Sequence, residues 1–235
     1  MNLEMVMQEL ETLGKERIKK TYISNGAHEP LFGVATGAMK PIAKKIKISQ
    51  SLAEELYATG NYDAMYFAGI IADPQGMTES DYDRWMDAAY FYMLSDYVVA
   101  VTLSESDIAQ EVADKWIASG EELRMSGGWS CYCWLLGNRQ DVEFSESKIS
   151  DMLDMVKNTI HDLPERTKSA MNNFLYTVGI SYLPLHEKAV ETAKAIGTVE
   201  VKRDKKKSSF LNAYESIQKE VDKGKLGFKR RHVRC

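Results

Sequence analysis

Residues 51–74, SLAEELYATGNYDAMYFAGIIADP, carry the pattern of two short helices separated by a break. Ser51, with a glutamate three positions later, predicts a capping box that opens the first helix. Gly60 ends this helix, and Asn61 is a preferred N-cap residue for the apolar helix that follows. Pro74 then stops the chain. The stretch therefore predicts a hairpin of two antiparallel helices.

The same plan recurs along the chain. Start and stop residues, together with apolar residues three and four positions apart, predict helical hairpins over 36–72, 78–118, 121–160 and 164–196. Their period of about 40 residues is typical of HEAT and armadillo repeats. We therefore predict an all-α, HEAT-like superhelix, a solenoid of stacked hairpins with a concave surface. A compact irregular helical bundle is the alternative.

Charge is distributed unevenly between the body of the chain and its C-terminal segment. Residues 200–235 hold twelve Lys and Arg against five Asp and Glu, whereas the whole chain has a formal net charge of -4. We predict a repeat domain over 1–199 and a basic segment over 200–235 that packs on it or extends from it. The alternation at Val199–Val201 is too short to predict a strand. The charge asymmetry favours a polyanionic partner, and a solvated tail is the alternative.

Motifs of the common enzyme classes are missing from the sequence. The histidines are scattered, and Cys131 and Cys133 point to opposite sides of a helix, so no metal site is expected. Phosphate-binding glycine motifs and a nucleophile elbow are also missing, so no cofactor is expected. No apolar run reaches about 18 residues. We therefore expect a soluble, cytoplasmic protein with reduced cysteines and no membrane contact.

A glycine-rich segment over 31–40, LFGVATGAMK, leads into a basic helix. Lys40, Lys44 and Lys47 follow at spacings of four and three, which places them on one helical face. Backbone amides at the start of this helix could also accept a phosphate. The segment predicts an anion-binding surface, and the alternative is a solvated lysine stripe opposite the apolar face.

Asp96 stands among aromatic residues in the segment 90–97, YFYMLSDY. A carboxylate beside an aromatic face can stabilise a cationic base or a developing oxocarbenium ion. Alternatively, Ser95 or Asp96 is the N-cap of a helix whose neighbours are core. The core is expected to hold Trp116, Trp129, Tyr132 and Trp134, with base stacking as the less favoured alternative.

Several segments, in this order and spacing, resemble the DNA alkylation repair family, the AlkD-like HEAT-repeat alkylpurine DNA glycosylases. The resemblance is to a divergent branch and covers nearly the whole chain. The segments that carry it are EPLFGV at 29–34, AMYFAG at 64–69, IADP at 71–74, KWIAS at 115–119, AMNNF at 170–174 and GFKRRHVRC at 227–235.

This resemblance implies a positively lined groove for duplex DNA. It also implies excision of cationic alkylated purines, such as 3-methyladenine and 7-methylguanine, by hydrolysis of the N-glycosidic bond. Asp96 falls at the family's key aspartate, and Tyr92 stands where the family has a tryptophan. Ser126 falls at the key arginine, with Arg124 two residues away, and Asn173 falls at the second tryptophan.

The resemblance leaves two functions open. The first is a glycosylase that binds alkylated duplex DNA and uses Asp96 and Tyr92 as catalytic residues, without a metal or cofactor. The second is a non-catalytic HEAT-like module that binds DNA, or a protein partner on its concave face. In either DNA-binding case we expect phosphate contacts. The residues expected to make them are Lys40, Lys44, Lys47, Arg124, Lys229, Arg230 and Arg231.

Overall fold

The computed structural model describes residues 1–204 and 207–234, so Lys205, Lys206 and Cys235 lie outside the described residues. Within the described ranges the chain is predominantly helical, which confirms the predicted helical class. None of the helices described there combines the length and the apolar character needed to cross a bilayer. The chain divides into two compact units, one of residues 1–108 with Arg234 and one of residues 109–233.

The first unit is built from short helices around one buried helix. Its helices are α1 Leu3–Leu13, α2 Glu16–Ser24, α3 Thr36–Ile46, α4 Gln50–Ala58, α5 Tyr62–Ile71, α6 Glu79–Ala88, α7 Tyr92–Leu94 and α8 Ala100–Ser104. Helix α5 is buried nearly all round and packs against α3 and α4. The Asn61 side chain caps it by accepting the backbone N–H groups of Asp63 and Ala64. Arg234 binds its other end, donating to the carbonyls of Gly69 and Ala72.

Two capping signatures in the sequence, Ser51 with Glu54 and Thr78 with Asp81, have different outcomes. Thr78 and Asp81 form the reciprocal bonds of a capping box at the start of α6, as their spacing predicts. The predicted box at Ser51 is wrong, because α4 already begins at Gln50. The carboxylate of Glu54 is taken instead by side-chain donors, among them the Gln50 amide at 2.8 Å.

The second unit is organised around its longest helix. Its elements are α9 Ala109–Ile117, α10 Glu122–Leu136, α11 Glu146–Thr159, α12 Glu165–Ser181, α13 His186–Ile196, strands β1 Val199–Asp204 and β2 Lys207–Leu211, and α14 Ala213–Val221. Helix α12 packs against α10, α13, α14 and β1. Trp116, Trp129 and Tyr132 are buried, which confirms their placement in the core, whereas Trp134 is only half-buried. Gly128 lets α10 approach α9 closely, since a Cβ there would lie 2.7 Å from the carbonyl oxygen of Ala113.

A β-hairpin is the main departure from the predicted all-α chain. Strands β1 and β2 pair antiparallel, with Val199 opposite Leu211 and Val201 opposite Ser209. The two valines are buried, whereas the Phe210 side chain is 69% exposed. The alternation at Val199–Val201 therefore belongs to a strand, and the expectation that it is too short to form one is wrong. Its partner strand β2 is mostly polar, so it has no apolar alternation from which a strand could be predicted.

Candidate functional site

Asp96 lies in an irregular turn of a helix in the first unit. Helices α7 and α8 are joined by a π-helical segment, Ser95–Val99, a feature that frequently marks functional positions. The Asp96 side chain is buried, with 2% exposure, and its Oδ1 accepts the Ser95 hydroxyl at 2.8 Å. Neither residue is the predicted N-cap, because the helix begins at Tyr92 and its N-cap is Phe91. The carboxylate is thus enclosed within the helical layer.

Tyr92, four residues before Asp96, belongs to a run of aromatic rings. Its half-buried ring contacts Phe91 edge-on, with ring centres 5.8 Å apart, and Tyr97 at 6.3 Å. Phe91 in turn stacks on Tyr90 at 5.0 Å. The run offers partly exposed π faces at which a planar ring could stack.

The lysine face predicted on α3 is exposed. Solvent reaches Lys40, Lys44 and Lys47, and no ion pair involving them occurs within the described residues. Helix α3 ends at Ile46, so the predicted helical face holds Lys40 and Lys44, whereas Lys47 is the C-cap with a φ of 64°. The neighbouring Lys45 lies 3.6 Å from the Glu9 carboxylate. The three lysines therefore keep their charge available for an anionic partner.

The glycine-rich loop before α3 uses its amides internally. The backbone N–H groups of Phe32, Gly33 and Val34 donate to the Asp63 carboxylate at 2.6, 2.9 and 2.8 Å. Burial raises the pKa of Asp63, and these three donors act in the opposite direction. Gly33 has a φ of 81°, which favours glycine. These three loop amides are thus occupied by Asp63, and a phosphate contact with the amides at the start of α3 stays a prediction.

In the second unit, the candidate positions on α10 and α12 differ in exposure. The Arg124 side chain is 17% exposed and its Nε donates to Glu121 at 3.1 Å. Ser126 is fully buried, and Asn173 is exposed. Arg124 is therefore already engaged in an ion pair within its own helical turn.

The basic residues of the C-terminal segment are divided between internal contacts and solvent. Lys229 donates to the last carbonyl of α10 at 2.7 Å and lies 2.7 Å from Asp141. The Arg230 guanidinium lies over the Trp134 ring, 4.8 Å from its centre. Cations at the C-terminus of a helix are favourable, so these two residues hold the segment on α10. Arg231 is exposed.

The described residues contain no group of three or more His, Cys, Asp or Glu side chains arranged to hold a metal ion. Cys131 is a buried free thiol, and burial raises its pKa.

Residues 6–217 match the sequence profile of the family described as DNA alkylation repair enzyme. The chain belongs to this family. Two relatives cover nearly its whole length, each over 217 residues, 90% of this chain and 93% of the relative. They are the uncharacterized protein Lin0241 of Listeria innocua serovar 6a, 30% identical, and the uncharacterized protein Lmo0209 of Listeria monocytogenes serovar 1/2a, 29% identical.

A solved structure is similar over the full length of both chains, with 81% identity and a TM-score of 0.98. It is described as a new family of proteins related to the HEAT-like repeat DNA glycosylases with affinity for branched DNA structures. The HEAT-like class of fold, expected from the period of about 40 residues, is therefore confirmed.

At several positions that the resemblance to the DNA alkylation repair family implies to be key, this chain carries a different residue. The assignment of the family's key positions stays a prediction, in which Asp96 stands for the aspartate. The others hold Tyr92, the buried Ser126 and the exposed Asn173. Sequence reasoning did not find the internal roles of Asp63 or Lys229, because both depend on partners distant in the sequence.

Proposed function

We propose that this member of the DNA alkylation repair family binds DNA, with a preference for branched structures, and does not excise bases. The observation that carries the proposal is the 81% identity, over the full length of both chains, with a protein that has affinity for branched DNA structures. At such identity the residues on the surface are largely shared, so a shared ligand class is expected.

The surroundings of Asp96 support a binding role over catalysis. A carboxylate that stabilises a sugar cation or orients water must reach the reacting carbon within hydrogen-bonding distance. Asp96 is 2% exposed and its Oδ1 is occupied by the Ser95 hydroxyl. Tyr92 also offers a smaller π face than the family's tryptophan. Both features weaken the catalytic arrangement and leave phosphate binding unaffected.

The exposed lysines supply the phosphate contacts in this proposal. Lys40 and Lys44 present two cations along α3, Lys47 adds a third just after its end, and Arg231 is a fourth in the basic segment. Phosphate neutralisation by such side chains releases counterions, so affinity should fall as salt rises. Internal contacts engage Lys229, Arg230 and Arg124. We therefore assign these three residues to the stability of the fold and not to DNA binding.

The test is a fluorescence anisotropy titration of the full chain against a labelled three-way junction, across a salt series from about 50 to 200 mM. We expect saturable binding and a linear fall of log affinity against log salt. No binding at the lowest salt would overturn the proposal and would favour a protein partner. A DNA partner also agrees with the cytoplasmic location expected from the sequence.

Excision of cationic alkylated purines is the second candidate function. It is favoured by one observation, the π-helical segment that places Asp96 four residues after a half-buried Tyr92. The alkylated base is already cationic, so little protonation of the leaving group is needed. A duplex containing 7-methylguanine is incubated with the wild type and with Asp96→Asn. Base release by the wild type that Asp96→Asn abolishes would establish this function, and release equal to background for both proteins would remove it.

A further inference from the structure

Three exposed apolar side chains lie together in the second unit, and the function proposed so far gives them no role. Leu183, Leu226 and Phe228 are 52%, 43% and 53% exposed. They are neighbours, because a Cβ built on Gly227, between Leu226 and Phe228, would lie 3.5 Å from the Leu183 side chain. We call these three residues the apolar patch. Exposed apolar residues that lie together, and not singly, mark interaction sites.

The backbone that carries the patch is fixed on two helices. The N–H of Gly227 donates to the Ile180 carbonyl of α12 at 2.7 Å. The N–H of Arg230 donates at the same distance to the carbonyl of Gly137, the C-cap of α10. Gly227 has a φ of 80°, which favours glycine and turns the chain just before Phe228. The Phe228 side chain is therefore exposed on ordered backbone, which lowers the entropy lost when a partner binds.

The Phe228 ring keeps a face that no other ring covers. Among residues 1–204 and 207–234, none of the other aromatic rings stacks on it. The nearby Trp134 differs in this respect, because the Arg230 guanidinium lies over its ring. An apolar ring in contact with water gains free energy when a flat partner covers it. A planar group could therefore stack on Phe228.

Positive charge surrounds the apolar patch. Residues 220–231 hold five Lys and Arg against two Asp and Glu. The Nζ atoms of Lys223 and Lys225 lie 2.7 and 2.6 Å from the same Glu220 carboxylate, so one negative charge compensates two positive ones. Arg231 is exposed. The patch therefore suits a partner that combines a flat apolar face with negative charge.

DNA at a branch point has this chemistry. Its phosphates carry the negative charge, and every base has a π face. In an uninterrupted duplex each base face is covered by the next base pair, whereas arms that end at a branch point leave faces uncovered. An apolar side chain can pack there without the cost of separating two stacked base pairs.

We propose that Phe228 stacks on an uncovered base at the branch point of the bound DNA, and that this contact sets the preference for branched over linear DNA. The inference rests on the proposed DNA binding. The lysines on α3 bind phosphates, which a junction and a duplex share, so they supply affinity without this preference. Lys225 and Arg231 bind the phosphates beside the stacked base.

The test compares two DNAs and two variants of Phe228. A dye-labelled three-way junction and a dye-labelled linear duplex with the same arm sequences are titrated with the full chain and followed by anisotropy. Phe228→Ala removes the ring, and we expect it to weaken junction binding at least about fivefold and duplex binding less than about twofold. Phe228→Trp keeps a π face and should bind both DNAs as the wild type does. Neither variant should change the salt dependence, because no phosphate contact is lost.

Met155→Ala is the matched control, because Met155 is a large apolar residue of the same unit with 46% exposure, on α11. We expect it to leave both affinities unchanged. Far-UV circular dichroism checks the folding of each variant. If Phe228→Ala does not fold, Phe228→Leu replaces it with the same expectation, since leucine keeps the apolar bulk beside Leu183 and lacks the π face.

The outcomes separate this inference from the proposed function. If the wild type prefers the junction and Phe228→Ala keeps that preference, the inference is wrong and DNA binding stands. Equal weakening of both DNAs by Phe228→Ala also overturns it, because the ring would then serve the fold or bind duplex. If an acidic protein partner occupies the patch, the variant changes neither DNA affinity, which is the first of these results. If the wild type binds neither DNA, the proposed function itself fails, and the inference fails with it.

Discussion

Replacing Asp63 by asparagine tests the physical account of the first unit. The carboxylate accepts three backbone N–H groups of the loop before α3, two at its Oδ2 and one at its Oδ1. An asparagine keeps one acceptor oxygen and turns an NH2 group towards the remaining donors. At least one buried N–H and part of the new amide then lack an acceptor.

The magnitude follows from these groups. An unsatisfied buried donor costs about 1–3 kcal/mol, and two are created. Burial already raises the pKa of Asp63, so the neutral amide recovers part of the cost of burying a charge. The balance is a loss of about 3 kcal/mol in the free energy of unfolding. For a chain of this size each kcal/mol lowers Tm by about 2–4 °C, so a fall of roughly 6–12 °C is expected.

The assay is thermal and urea unfolding followed by far-UV circular dichroism. Asp151→Asn is the matched control, because Asp151 is exposed on α11. We expect the control to unfold within about 0.5 kcal/mol of the wild type. An Asp63→Asn protein that is equally close to the wild type would refute the reasoning, since the loop would then not depend on this carboxylate.

Three further predictions concern charge and packing. The double variant Lys40→Ala with Lys44→Ala should reduce the slope of log affinity against log salt by about two, because each lysine contributes about one phosphate contact. Lys229→Met should leave that slope unchanged and lower the free energy of unfolding by about 1–2 kcal/mol, measured by urea denaturation, since it loses contacts at the end of α10. Gly128→Ala should lower the free energy of unfolding by about 1–3 kcal/mol in the same assay, because its Cβ meets the backbone of α9 at 2.7 Å.

A fifth prediction concerns pH. Hydrogen bonds from the Thr78 backbone, and next from Arg84, lower the pKa of Asp81 below its usual range. A lowered folded-state pKa stabilises the protein above the unfolded-state pKa, and this contribution is lost as pH falls through the folded value. The urea midpoint of the wild type should therefore exceed that of Asp81→Asn at neutral pH. The two midpoints should converge in acid, and a constant difference across pH would contradict this origin.

The helical part of the fold could be predicted because its signals are local. Thr78 with Asp81, and Asn61 before an apolar run, fix helix starts through residues two or three positions away. The box expected at Ser51 fails for a tertiary reason, since the Glu54 carboxylate bonds to Arg84 and Trp85 about thirty residues along the chain. The hairpin was missed because its second strand has no apolar alternation.

Within the candidate site, the sequence predicts the role of a residue only where that role depends on the side chain being exposed. The Lys40 face follows from helical spacing, and the structure shows it exposed. The basic cluster at 229–231 also consists of Lys and Arg. Its Lys229 and Arg230, however, contact α10, which lies more than ninety residues earlier in the chain. No local pattern encodes that docking. The concave surface of the superhelix stays a prediction.

The preference for branched DNA is tested most directly by competition. A labelled three-way junction bound to the full chain is displaced by unlabelled junction or by unlabelled linear duplex with the same arm sequences, at one salt concentration. We predict that the duplex competes at least about tenfold less well, a difference of about 1.4 kcal/mol. Equal competition by the two DNAs would show that the protein binds phosphate charge alone and would contradict the account.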